Sequence, residues 1–297
     1  MTNKIEIGPI TFIKGENRSR YPYCNSIYIE QAGLVIDPSS NRSILEDIRE
    51  NVSTVWLSHW HEDHIMYLDL FDNCPLLMHK ADEPPLNNLD TLIKWYNLDT
   101  ADDKPMIERW KQLLVEHFHY IPRQAKAYLH DKDVIELEGI VVEIIHVPGH
   151  TPGSLAFFFK DQRVVFMGDY DLTPFGPWYG DLYSDIDQVI NSVNKLRKLP
   201  ADTWLTGHES AFINENPGKA WDDYLAVIER REAKLYDLLK EPKTLSQIAD
   251  TWIVYGKPRE PAVEFRFFEQ INMKKHVDRL IKKGLARQEG DFYLRNL

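Results

Sequence analysis

The stretch "LSHWHEDH", residues 57–64, constrains this chain more than any other. It places three histidines and two acids within six positions, directly after the apolar run "VSTVWL". Such a run reads as a buried strand, so His59, His61, Glu62, Asp63 and His64 sit where a strand gives way to a loop. Side chains at alternate positions, His59 and His61, can converge on one point, while Asp63 and His64 turn toward a second point nearby. Imidazole nitrogen and carboxylate oxygen at this spacing suit a borderline metal ion such as zinc. The competing explanation is a polar loop rich in histidine by accident, and it weakens as further donors appear downstream.

Three further candidate donors follow strand patterns. His150 comes after "EIIHVPG", Asp169 after "RVVFMG" and His208 after "TWLTG", each directly preceded by a glycine: Gly149, Gly168 or Gly207. Glycine there lets the backbone turn sharply and approach a site without a Cβ clash.

The set "HWHEDH", "HVPGHTPGS", "GDYD" and "TGHE", in this order and spacing, resembles the metallo-β-lactamase fold superfamily over roughly residues 5–215. The resemblance implies an α/β fold, a four-layer αββα sandwich with a dinuclear site between the edges of two sheets. Carried over by position, His59, His61 and His150 hold the first metal, Asp63, His64 and His208 the second, and Asp169 bridges them. Two metals ~3.5–4 Å apart can share a hydroxide near neutral pH and polarise a carbonyl or phosphoryl oxygen. Asp63 then also orients the nucleophile. The cofactors expected are two divalent ions, zinc first, with iron or manganese accepted by the same donors. Asp37, in "VIDPSSN", is read as orienting the histidine loop through hydrogen bonds, and Glu62 as a solvent-facing neighbour. His61 stands where a diiron flavoprotein branch carries an acid, which disfavours electron transfer.

Residues 82–130 show helical spacing with almost no glycine, "PMIERWKQLLVEHFHYI" being one example, and read as a helical insertion over one edge of the core. His119 is a candidate substrate contact if that segment folds over the metals; simple packing is the competing role. The loop "YDLTPFGPWYGDLY" supplies Tyr170, Trp178 and Tyr179 as candidate pocket residues, or as packing beneath the insertion.

Charge divides the chain. Residues 1–218 carry 19 Lys and Arg against 33 Asp and Glu, whereas residues 219–297 carry 16 against 13. We therefore expect a catalytic domain over 1–218 and, over 219–297, a linking helix and a winged-helix domain. The tail's helix, helix and strand pair, with a turn at Glu289-Gly290-Asp291, has winged-helix spacing and resembles the appendage of the branch containing β-lactamase-like protein 2. Arg266, Lys274, Lys275, Arg279, Lys282, Lys283 and Arg287 crowd this tail, with Lys274, Lys275, Lys282 and Lys283 expected outward, where they could lie along phosphates. A packing or homodimer module is the favoured alternative.

The net charge of −11 argues against a chain built wholly to coat nucleic acid or an anionic membrane. Cys24 and Cys74 form no CxxC, and no apolar run reaches signal or transmembrane length, so a soluble cytoplasmic protein without a membrane partner is expected. The leading function is dinuclear hydrolysis of a small ester, thioester or lactone. A nuclease or phosphodiesterase using the basic tail is one alternative. Another is a mononuclear iron oxidoreductase of thiols or persulfides, needing only His59, His150 and Asp169.

Overall fold

The stretch "LAFFF", Leu155–Phe159, is apolar at every position because both of its faces are covered. Leu155, Phe157 and Phe159 enter one buried cluster, while Ala156 and Phe158 enter another. The structure is a computed structural model that describes residues 3–101, 103–209 and 211–296.

Two sheets meet face to face. The first comprises β1 (Lys4–Ile7), β2 (Ile10–Ile13), β3 (Ser26–Ile29), β4 (Leu34–Ile36), β5 (Thr54–Trp56), β6 (Leu76–Met78) and β7 (Ala127–Tyr128), paired in chain order. The second comprises β8 (Val134–Leu137), β9 (Ile140–His146), β10 (Leu155–Phe159), β11 (Val164–Phe166), β12 (Thr203–Leu205) and β13 (Ala211–Phe212), also in chain order. Phe12, Ile27, Ile36 and Trp56 from the first interdigitate with Ile144, Phe157 and Phe166 from the second. Each such side chain, fully buried, contributes about 1.5–3 kcal/mol.

Helices cover both outer faces. On the first lie α1 (Arg42–Ile48), α3 (Leu89–Trp95) and α4 (Lys104–Glu116), with the single turn α2 (Glu62–Ile65) at the sheet edge. On the second lie α5 (Ile186–Leu196) and the first half of α6 (Lys219–Leu238). Polar side chains start several of them: Asn41, Asn88, Asp103 and Asp185 each accept a hydrogen bond from a backbone N–H of the first turn. This is the four-layer α/β/β/α sandwich expected from the resemblance. The insertion is helical as expected, except that its last part returns to the sheet as β7, whose two residues are too short to leave a periodic signal.

The tail adds α7 (Leu245–Ala249), α8 (Ala262–Lys282) and a three-stranded sheet of β14 (Lys243–Thr244), β15 (Ala286–Glu289) and β16 (Phe292–Arg295), ordered β14-β16-β15. Its small core joins Leu235 and Leu239 to Met273, Val277 and Leu280. Lys282 and Lys283 are exposed as expected, but the expectation that Lys275 faces outward needs correction, and the exposed lysines are not free. Lys275 is half-buried and donates to the carbonyls of Leu182 and Ser184; Lys283 and Arg279 reach Glu232, and Lys282 with Arg279 reaches Asp187. Their acidic partners lie on other helices, beyond the reach of a count within α8. Among the described residues, no helix is long and apolar enough to cross a membrane.

Glu232 gives this docking a pH dependence. Burial pushes its carboxyl up, but donors from His276, Lys283 and Arg279 outweigh that and hold its pKa down at about 2, against an ordinary 4.5. A depressed carboxylate stabilises fully above its ordinary pKa and less as pH falls toward the folded value. Between about pH 4.5 and 2 the α6–α8 contact is therefore expected to weaken. Thermal melts across that range check this, and Glu232→Gln should flatten the profile; a variant with the wild-type acid profile contradicts it.

Strand direction gathers the chemistry. β9 and β11 are each antiparallel to β10, so they run together, and β12 is parallel to β11. The loops after β9, β11 and β12 thus leave one edge of the sandwich.

Candidate metal centre

At that edge the loop after β5 meets the other three. His59 Nε2, His61 Nδ1 and His150 Nε2 lie 2.9–3.2 Å from one another. Asp169 lies between this trio and a second group: its Oδ2 is 3.3 Å from His150 Nε2, and its Oδ1 is 2.8 Å from His64 Nε2 and 3.5 Å from His208 Nε2. Asp63 Oδ2 is 3.2 Å from His208 Nε2. All seven residues named from the sequence therefore meet here, in two sets, His59, His61, His150 and Asp169 beside Asp63, His64 and His208, with donor atoms in each set within 4.8 Å of one another.

The opposite ring nitrogen of every histidine faces an oxygen. His59 Nδ1 is 2.9 Å from Ser58 Oγ, whose hydrogen goes to Asp37. His61 Nε2 is 2.7 Å from Asp181 Oδ2, and His64 Nδ1 is 2.9 Å from Asp37 Oδ2. His150 Nδ1 is 3.1 Å from the Trp178 carbonyl, and His208 Nδ1 is 2.9 Å from the Ser19 carbonyl. These acceptors draw the ring proton to the far side, leaving a lone pair aimed into the cluster on each inward nitrogen. Three such lone pairs at contact distance repel unless a cation sits among them. Tetrahedral zinc would place its nitrogens roughly 3.3 Å apart, near the spacing seen. His64 Nε2 and Asp169 Oδ1 are buried, face each other, and make no hydrogen bond. The donor set fits two metal ions.

The electrostatics agree. Burial alone would lower the His208 pKa, yet the carboxylates of Asp169 and Asp63 push it up to about 10. Burial would raise Asp169, yet His64 and His208 hold it well below the usual carboxylate range. Burial and the neighbouring His64 push His59 the opposite way to His208, well below the usual imidazole value, so the carboxylates concentrate positive charge at His208 and leave His59 neutral. The more exposed side of the centre lies at Asp169 and His208, whose side chains keep 14% and 12% exposure, whereas His64 has none.

Glycine makes the approach feasible at two positions. Gly207 packs so closely that a Cβ would stand 2.8 Å from Asp169 Oδ1 and 2.9 Å from the His64 ring. Gly149 has φ +131°, and a Cβ there would strike the Val189 nitrogen at 2.3 Å, where α5 begins. Asp37 orients the loop as expected, accepting from the Ser58 N–H at 2.7 Å and the Ser58 hydroxyl at 2.6 Å as well as facing His64.

Other expectations are corrected. Glu62 is buried, not solvent-facing; it accepts from the hydroxyls of Tyr21 and Tyr96. Tyr170 is buried and donates to the Val147 and Pro148 carbonyls, so it props the loop leading to His150 instead of lining a pocket. Tyr179 is buried against Arg231 and His276 of the tail. Trp178 packs its ring on Phe268 and serves the site through its carbonyl. His119 is tied to the Met66 carbonyl at 3.1 Å and lies beside Tyr67, away from the cluster. The sequence reading missed Asp181 and Tyr96, the latter stacked on His61 at 5.6 Å. Asp181 follows a glycine in the aromatic loop, much as Asp169 and His208 follow theirs, and that was its only signal.

A sequence model described as the metallo-beta-lactamase superfamily matches residues 22–208. Hydroxyacylglutathione hydrolase of Hyphomonas neptunium is 25% identical over 240 residues, spanning 72% of this chain and 77% of that protein. Beta-lactamase-like protein 2 homolog of Caenorhabditis elegans is 23% identical over 251 residues, 84% of this chain and 71% of that protein. A beta-lactamase domain protein from Burkholderia ambifaria shares the fold with a TM-score of 0.72 at 14% identity, covering 99% of this chain and 94% of its own.

Proposed function

Because the chain belongs to the metallo-beta-lactamase superfamily, and is a metal-dependent hydrolase by that kinship, we propose that two divalent ions, zinc first, serve it in cleaving a small acyl compound. Within the ester, thioester and lactone classes, a thioester is our first choice, supported by the similarity to hydroxyacylglutathione hydrolase. The observation that carries the reading is the pinning of five histidines by oxygen acceptors on their outer nitrogens.

His59, His61 and His150 would hold one ion, Asp63, His64 and His208 the other, with Asp169 between. When bound, such ions would supply a water activated near neutral pH and polarisation of the acyl oxygen. The chain's own part is to fix the donors. Asp63 sits beside His208, on the more exposed side, where it would orient the attacking water. Tyr21, 54% exposed with its hydroxyl on Glu62, offers an apolar wall for the acyl group on that side.

The alternatives lose support. All but one of the basic residues offered for nucleic acid have an acidic partner within the chain: Arg266 with Asp250, Lys274 with Asp278, Arg287 with Glu289, and Arg279, Lys282 and Lys283 with Asp187 or Glu232, while Lys275 is spent on the carbonyls of Leu182 and Ser184. A mononuclear iron site needs three of the seven donors and leaves the second set without a task. We keep the winged-helix reading of the tail, as a packing module.

The test is metal content per chain, run with hydrolysis of a thioester, a lactone and bis-p-nitrophenyl phosphate, on wild type and His208→Ala. Two ions with thioester cleavage, both diminished in the variant, is the expected result. Phosphodiester cleavage alone, or one iron without hydrolysis, overturns it.

A further inference from the structure

Helix α8 turns one continuous face toward the segment that leaves Asp169. Phe268 packs on Trp178 with ring centroids 5.6 Å apart, and a Cβ on Gly180 would meet Asn272 Nδ2 at 2.8 Å. Lys275 Nζ donates to the Leu182 and Ser184 carbonyls, each at 2.8 Å, and His276 Nε2 is 2.6 Å from the Tyr179 hydroxyl. These residues recur at helical spacing, so they form one stripe.

The inner side of that same segment grips the first metal set. The Trp178 carbonyl faces His150 Nδ1, and Asp181 Oδ2 faces His61 Nε2 at 2.7 Å. The Ser184 hydroxyl donates to the His150 carbonyl at 2.8 Å, while accepting from the Asp181 N–H at 3.1 Å. Lys275 therefore clamps the turn 181–184 from outside, while the turn positions two ligands from inside. The second set is held otherwise. His64 is anchored by Asp37, and His208 by the carbonyls of Ser19 and Tyr23, all from the N-terminal part of the chain.

We infer that Lys275 is a positioning residue for the first metal site: through the carbonyls of Leu182 and Ser184 it sets Asp181 against His61 and Ser184 against His150. The inference rests on the metal reading of the centre. An ammonium supplies three donors, and two of them are engaged on this turn. Without them the turn loses its outer tether, and the ring of His61 its fixed carboxylate. Partners behind a metal ligand are worth about 10–100-fold in affinity, so a residue one step further out is placed at roughly tenfold.

The experiment uses the full chain as wild type, Lys275→Met, Lys275→Arg and Lys274→Met, whose native lysine pairs with Asp278 on its own helix. Each is stripped of metal and titrated with Zn2+ and Co2+ against a chelator, with the metal-free melting temperature followed in parallel. His208→Ala, alone and combined with Lys275→Met, identifies the first-site step as the one that survives. Lys275→Met is expected to weaken that step roughly tenfold and leave the other unchanged. Lys275→Arg should restore most of the loss, and Lys274→Met should match wild type. Two unchanged steps in Lys275→Met, or two steps weakened alike, overturn the inference. A wild-type chain that takes up no metal overturns the metal reading itself, and this assignment with it. Should Lys275→Met fail to fold, Lys275→Gln meets the same criterion.

Discussion

Replacing Asp169 by asparagine is expected to cut hydrolysis by on the order of 10³-fold and to remove at least one metal per chain. The carboxylate stands between both donor sets, with Oδ1 2.8 Å from His64 Nε2 and Oδ2 3.3 Å from His150 Nε2. Asparagine keeps the shape but withdraws the charge. It also presents an NH2 group to one of two directions that want a lone pair. A metal centre supplies several kcal/mol of transition-state stabilisation, and each 1.4 kcal/mol is tenfold, hence the magnitude. Steady-state rates in excess metal, with elemental analysis of the same sample, check it. Activity within about tenfold of wild type and two bound ions would remove Asp169 from its bridging place.

Asp37→Ala should act through stability as well as metal. Asp37 is fully buried and answers three donors at once: the Ser58 N–H, the Ser58 hydroxyl and His64 Nδ1. Its removal leaves all three without an acceptor in a site closed to water. Its backbone adds strain, since φ is +50°, a conformation alanine adopts less readily than aspartate or asparagine. Breaking a buried charged cluster from one side costs about 3–5 kcal/mol, a fall in melting temperature of roughly 10 °C. Asp37→Asn, which keeps one acceptor and tolerates the backbone, should fall between. Melting curves of the metal-free proteins decide: an alanine variant within about 2 °C of wild type would show that the cluster is not held by this carboxylate.

The inner donors were legible because each follows a strand pattern, and a strand's end fixes where the next residues emerge. Asp37 was legible for the same reason, through "VIDPSSN". What surrounds the donors was less so. Asp181 and Tyr96 reach the centre, and Lys275 the turn behind it, across packed interfaces, and no local period marks which of two neighbours a loop will face. Tyr170 and Tyr179 stay ambiguous on that account: an aromatic loop after a ligand fits a pocket wall or packing equally well, and here Tyr170 packs on the loop before His150 and Tyr179 on the tail. The buried Glu62 shows the same limit, since its fate depends on two tyrosines from segments distant in sequence, Tyr21 and Tyr96.

The clamp on residues 181–184 also bears on the order in which the chain is made. During synthesis the N-terminal residues emerge first, so the histidines of "HWHEDH" leave the ribosome long before His208, and before Lys275 by more than two hundred residues. Closing contacts of such separation is slow, because the entropy of the intervening chain must be lost first. A nascent chain thus carries His59 with its nearby partners Ser58 and Asp37, but His61 without the distant Asp181 that fixes its tautomer. On the positioning inferred for Lys275, tight binding at the first set is expected to follow docking of α8, whereas the second set, held by Asp37 and the carbonyls of Ser19 and Tyr23, does not wait for that helix.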